Sequence, residues 1–377
     1  MPERTYLLRT FLYALLAGCL VAAVNYAVDP YAITGATRIP GFNQYKVEIN
    51  EHTWVMKKYQ PLSVSHNALI VGNSRVELAI RPTHDCFRHN GMEVYNLGIP
   101  GAGLRTQLEY ALNLVYQQPI KTVFLSIDFT DFISSQQQPR TDGSSSMAEQ
   151  STGEFRFAAS GERNPEYHWV VLRDYFKSLL SLDALVASIK TIALQSSSSA
   201  DRDDAGFNPA RDFAAAVDVE GPHALFAQKM ASLEAKYSLP WYFRDAQGQP
   251  NHAVAELTEF LDIAAAQGIK VILFTNPFHD SFWELLRSQG HMPAYDDWMQ
   301  EMENLLRKRQ GQAVEFWDFS QDSAYIHEPV PAAGVRSGPL QWFWEPAHYR
   351  QELGDLMVDA MLSDTCATEI AFGRRVF

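Results

Sequence analysis

The chain has 377 residues, with 31 Lys and Arg against 44 Asp and Glu, for a formal net charge of −13. At 46% hydrophobic and 20% charged residues it has the balance of a globular protein, not that of a disordered chain or a disulfide-dense scaffold. The acidic balance and the lack of a dense Lys/Arg block argue against a nucleic-acid partner. The length suits one large domain or two smaller ones, with a core that needs no metal or disulfide staple.

The first element is the uncharged run Phe11–Val28, preceded by Arg4 and Arg9 and followed by Asp29. As a helix at about 1.5 Å per residue it reaches about 27 Å, just enough for a bilayer core. Residues 1–28 therefore read as a single-pass inner-membrane anchor. The positive-inside rule then puts the carboxyl domain in the periplasm. Asn25-Tyr26-Ala27 is a poor signal-cleavage site. Leu16-Ala17-Gly18-Cys19 has lipobox residues, so a lipoprotein through Cys19 is the alternative, although the apolar run continues well past Cys19.

After an approach segment (29–67), short apolar runs bounded by turn residues read as buried parallel strands: Ala68–Val71, Glu93–Asn96, Thr122–Ile127, Lys270–Phe274 and Val314–Trp317. Between them lie helical stripes. One is Leu104, Leu108, Ala111, Leu112 and Val115. A second is Leu257, Phe260, Leu261 and Ala264, closed by Gly268. Leu353, Leu356, Met357, Ala360 and Met361 make a third near the end. The alternation predicts an α/β domain in two parts, 68–132 and 251–365, with a five-stranded parallel sheet and a tail over 366–377. Residues 133–250 read as a helical insertion, with Trp169–Leu194 as its main helical pattern and polar loops at Ser134–Gly153 and Gln195–Gly206. No internal repeat is visible. Of the three cysteines, Cys86 and Cys366 either pair outside the cytoplasm or are two buried thiols. No Cys/His spacing suggests a metal site, and no cofactor motif appears.

Three segments carry residues suited to chemistry. Gly72-Asn73-Ser74-Arg75 follows the first strand and puts Ser74 at a helix start, where backbone N–H groups favour a developing negative charge. The same residues also suit a simple turn and helix cap. Asn96-Leu97-Gly98-Ile99-Pro100-Gly101 follows the second strand, and a glycine N–H there could serve an oxyanion. Glu345-Pro346-Ala347-His348 precedes the last helix, where a carboxylate could orient an imidazole that deprotonates a serine. His279, in Asn276-Pro277-Phe278-His279-Asp280, either lines the site or belongs to a helix start capped by Asp280 or Ser281. Trp342 and Trp344 either stack on sugar faces or pack in the core.

In this order the segments resemble the SGNH (GDSL-like) hydrolase superfamily over roughly Ala68–Thr130 and Lys270–Leu362. The resemblance implies a three-layer, flavodoxin-like sandwich and a triad of Ser74 as nucleophile, His348 as base and Glu345 as acid. It implies an oxyanion hole from the Ser74 and Gly101 N–H groups, with Thr130 in place of the family's Asn donor. Asn73 and Glu345 both stand where the family usually has Asp. Asn73, Arg75, Asn96, His279, Trp342 and Trp344 are the candidate substrate contacts. The anchor, Asp29-Pro30-Tyr31 and the Trp/Glu-Pro-x-His-Tyr block are similar to single-pass envelope members that assist alginate O-acetylation. The expectation is therefore an acyl-esterase or O-acyltransferase acting on an acylated envelope polysaccharide or another acyl ester. An integral membrane acyltransferase would be a partner. A catalytically inactive polysaccharide-binding or assembly subunit is the alternative.

Overall fold

A computed structural model describes residues 2–136, 147, 153–195, 201–366 and 372–377. Helix α1 (Pro2–Val28) starts earlier than the apolar run, and it is long and apolar enough to cross a membrane. Helix α2 (Thr53–Tyr59) precedes β1 (Ala68–Gly72), which leads into the short α3 (Ser74–Ala79). Then come α4 (Asp85–His89), β2 (Val94–Gly98), α5 (Leu104–Val115) and β3 (Thr122–Ile127). After β3 come α6 (Tyr167–Leu180), α7 (Leu182–Ala193), α8 (Arg211–Glu220) and α9 (Pro222–Tyr237). The chain continues through α10 (Ala253–Ala266), β4 (Lys270–Thr275), α11 (Asp280–Ser288), α12 (Met292–Arg307) and β5 (Val314–Asp318). It ends with β6 (Phe343–Glu345), β7 (His348–Tyr349), α13 (Gln351–Met361) and β8 (Arg374–Arg375).

The main sheet has the order β2-β1-β3-β4-β5-β8, parallel except for β8. The first five strands fall on the expected runs because β1, β2 and β3 are buried throughout and so must be apolar on both faces. The five-stranded expectation needs correction: Trp317 and Asp318 of β5 pair with the exposed Arg375 and Arg374, so the sheet has a sixth, antiparallel edge strand. Two exposed arginines held by backbone pairing carry no strand pattern in sequence. Trp169–Leu194 is also two helices, broken where the Ser181 side chain accepts from Ala184 N at 3.0 Å and caps α7.

The polar loops expected over Ser134–Gly153 and Gln195–Gly206 lie partly outside the described residues. Within them, the second is tied down: Arg202 is buried and bonds both Glu77 carboxylate oxygens at 3.0 Å. Cys86 and Cys366 form a disulfide with a Cα–Cα distance of 5.5 Å, which decides between the two alternatives for these cysteines.

Close packing fixes the helix that carries Ser74. A Cβ on Gly98 would lie 2.7 Å from Glu77 N and 2.9 Å from Asn73 O, so β2 meets α3 backbone to backbone only because that residue is glycine. On another side, a Cβ on Gly354 of α13 would lie 2.1 Å from Ala79 O.

Candidate active site

The parallel strands end at one edge of the sheet, and β1 and β3 are neighbours although β2 lies between them in sequence. The chain reverses direction there, and ligand crevices in open α/β sheets form at such points, outside the carboxyl ends of the strands. Residues just past β1, β3 and β4 converge on it. Asn73 Nδ2 donates to Asp128 Oδ2 at 2.7 Å, Arg75 Nη1 donates to the same oxygen at 2.6 Å, and Asn276 Nδ2 donates to Asp128 Oδ1 at 2.7 Å. Asn276 is held in turn by Tyr349, whose hydroxyl donates to Asn276 Oδ1 at 2.8 Å.

Ser74 begins α3. Asn73 caps the helix by accepting from Arg75 N at 3.1 Å. The next N–H after Ser74 is thereby taken, while Ser74 holds the first helical position, whose N–H has no partner within a helix.

Glu345 and His348 face each other across a tight hairpin. They are partners in the antiparallel pair β6–β7, with only Pro346 and Ala347 between them. Directly opposed residues put their side chains on one face, so the hairpin brings the carboxylate to the ring. Glu345 Oε1 hydrogen-bonds His348 Nδ1, and Glu345 Oε2 accepts from Ala347 N at 3.0 Å. On the other side of the ring, His348 Nε2 lies 2.7 Å from Ser74 Oγ. Ser74, His348 and Glu345 thus form one continuous hydrogen-bonded chain. Glu345 is buried, which raises its carboxyl. The His348 ring, then Lys229 with Nζ 4.0 Å from Oε1, and the Ala347 N–H outweigh burial and hold the group below its usual range.

The other candidates are placed variously. Arg75 is not at the mouth of the site but braces it: Nε donates to Ala347 O at 3.0 Å, and the guanidinium stacks over Phe278. Asn73 is likewise committed to Asp128 and the cap. Asn96 does not fit a substrate contact. It is fully buried, its amide donates to Val76 O and Ile80 O, and its Oδ1 accepts from Gly98 N, so all of it supports α3. His279 does not fit one either. It caps α11 itself, accepting from Ser281 N at 3.2 Å, and its Nε2 lies 2.8 Å from Glu328 O. Its backbone N donates to Pro346 O at 3.0 Å, which ties that cap to the Glu345–His348 turn.

Trp342 packs edge-on against Tyr325. Trp344 is buried between Arg350 and Phe213. Phe213, from α8, also lies 5.9 Å from the His348 ring and forms an apolar wall beside it. Gly101 is exposed in a left-handed turn (φ 72°) three residues beyond β2. Thr130 sits half-buried in the one-turn helix Phe129–Asp131. The group aligned at the end of β3 with the Ser74 loop is Asp128, and both its oxygens are occupied by Asn73, Arg75 and Asn276.

Sequence reasoning missed Asp128, Asn276, Lys229 and Phe213. The first two have a readable signal: each is a polar residue within two positions of the end of an apolar run, at the edge where α/β sheets build sites. Lys229 and Phe213 come from the insertion and carry no such mark. In comparisons with known proteins, no protein-family model matches the chain and no curated protein matches it.

Proposed function

We propose that the protein is a serine-dependent acyl-ester hydrolase or O-acyltransferase of the SGNH type, anchored by α1 and acting outside the cytoplasm on an acylated polysaccharide. The observation that carries the reading is the Ser74–His348–Glu345 chain, with Nε2 at 2.7 Å from the nucleophile's oxygen. The strand order β2-β1-β3-β4-β5 supports a three-layer, flavodoxin-like arrangement. The Cys86–Cys366 disulfide suits an oxidising compartment.

In this reading Glu345 holds the Nδ1–H tautomer, leaving the Nε2 lone pair to accept the Ser74 proton. Ser74 Oγ attacks the ester carbonyl, and the oxyanion is met by the N–H groups of Ser74 and Gly101. The tetrahedral species collapses to acyl-Ser74, and His348 returns the proton to the departing alcohol. Water or a sugar hydroxyl then gives its proton to Nε2 and takes the acyl group, restoring Ser74. Hydrolysis and transfer differ only in that acceptor. A fluorophosphonate should label the full chain at Ser74, and the label should disappear in Ser74→Ala. A wild type that neither labels nor releases acetate from an activated acetyl ester, yet binds polysaccharide, would replace this reading with that of a binding subunit.

A further inference from the structure

Helices α6 and α7 are amphipathic in the opposite sense to the helices of a water-exposed surface, which turn their polar face outward. Their buried positions are polar or small: Asp174 and Ser178 on α6, and Ala184, Ala187, Ser188 and Thr191 on α7. Their exposed positions hold a stripe of large apolar residues beside the charged Arg173, Lys177, Asp183 and Lys190. Leu172, Phe176 and Leu180 recur every four residues on α6, and Leu182, Val186 and Ile189 continue the face on α7, each 41–74% exposed. An apolar stripe of this size on a soluble surface marks a membrane or protein contact.

The neighbour of this hairpin says which. Both helices pack against α1. Asn25 lies inside the apolar run of α1, about 4.5 Å before its end at 1.5 Å per residue. Its Nδ2 donates to Leu179 O at 2.9 Å, and its Oδ1 accepts from Ser188 Oγ at 2.8 Å. A polar side chain in the span is thus satisfied by the hairpin, through the small-residue contact typical of helices packed in lipid. The hairpin is therefore held at the depth of one end of the span. Its ion pairs, Lys58–Asp174 at 2.7 Å and Lys190–Glu48 at 3.0 Å, point back into the domain.

We propose that α6–α7 is an interfacial membrane hairpin whose outward face is immersed in the acyl chains of the leaflet where α1 ends at Val28. This rests on the reading of α1 as a membrane span. Such helices bury their apolar face about 5–10 Å into the headgroup–acyl boundary. The segment after α7 reaches α3 through Arg202 and Glu77, so the hairpin fixes the Ser74 domain against the bilayer surface.

The test uses the full chain in vesicles of phosphatidylcholine and phosphatidylglycerol, with or without bromine on the acyl chains. A Cys19→Ala background removes the free thiol. Phe176→Cys and Ile189→Cys carry a polarity-sensitive fluorophore, with Leu172→Cys and Val186→Cys as substitutes if either fails to reconstitute. Leu12→Cys reports the span and Gln289→Cys the domain surface. The expected result is at least twofold quenching by brominated lipid at Leu12 and at both hairpin sites, with none at Gln289. Quenching at Leu12 but not on the hairpin overturns the proposal and leaves the span intact. Hairpin probes that are dry, unquenched and cross-linked to a second chain also overturn it, in favour of a protein contact. No quenching at Leu12 or on the hairpin overturns both.

Discussion

Arg75 Nε donates to the Ala347 carbonyl at 3.0 Å, so the side chain next to Ser74 holds the turn that carries His348. The same guanidinium is paired at 2.6 Å with Asp128, which is fully enclosed. Removing one member of a buried pair strands the other charge, at a cost of about 3–5 kcal/mol. Arg75→Ala is expected to lose stability in that range and to slow Ser74 labelling, because the hairpin is no longer tied to α3. Asp128→Asn combined with Arg75→Ala should cost much less than the two single losses added, as measured by urea midpoints. Strictly additive losses would show that the pair is not a unit.

The strands that build this edge were legible in the sequence because a strand buried on both faces must be a continuous apolar run, as in Thr122–Ile127. Ser74, Glu345 and His348 were legible because each lies within two residues of a glycine or proline break. The partnership of Asn73, Asp128 and Asn276 was not, since it depends on β1, β3 and β4 being neighbours in space. Nor was the hairpin: three-residue β6 and two-residue β7 are too short to show a period. The break at Ser181 did leave a signal, a serine followed by Asp183 at a helix start, which the apolar repeat across it obscured.

Cys86 in α4 and Cys366 beyond α13 close a loop with a sequence separation of 280. Cross-linking so long a loop restricts the unfolded chain, and losing such a bond typically costs about 2–5 kcal/mol. Cys86→Ser should lower the thermal midpoint while sparing the Ser74–His348 contact, so fluorophosphonate labelling at low temperature should persist. An unchanged midpoint would mean that the bond contributes nothing to stability.

Asp131 provides a pH signature. Burial first, and then the charge of Asp128, push its carboxyl up to about 7 against the opposing Arg75 and Lys236. A folded value above the unfolded one, about 3.9, means that the folded protein holds this proton more tightly. The resulting stability is present at low pH and is lost as pH rises through about 7. Asp131→Asn should therefore be more stable than wild type at pH 8, with the gap narrowing as pH falls below about 7 and closing only near pH 4. Comparing the two chains cancels the other titrating groups. A gap of the same size at every pH would place the effect elsewhere.

The triad itself is tested by the way its losses combine. In the proposed mechanism Ser74 and His348 act in one proton transfer, so removing either should abolish most turnover of an activated acetyl ester, and removing both should cost little more. Ser74→Ala and His348→Ala are expected to fall to the background rate with the fold retained, as judged by circular dichroism. Glu345→Ala should be milder, since the carboxylate orients the ring and steadies its positive charge without taking the proton. Glu345 also accepts the Ala347 N–H at 3.0 Å, so its loss loosens the hairpin turn as well as the ring. Glu345→Gln separates these roles: it can keep the turn contact but offers no charge to the imidazolium. It should be at least as impaired as Glu345→Ala, because an amide whose oxygen stays on Ala347 N turns its NH2 to His348 Nδ1 and favours the Nε2–H tautomer, which cannot accept the Ser74 proton. If Ser74→Ala hydrolyses the ester as fast as wild type, the activity does not belong to this serine.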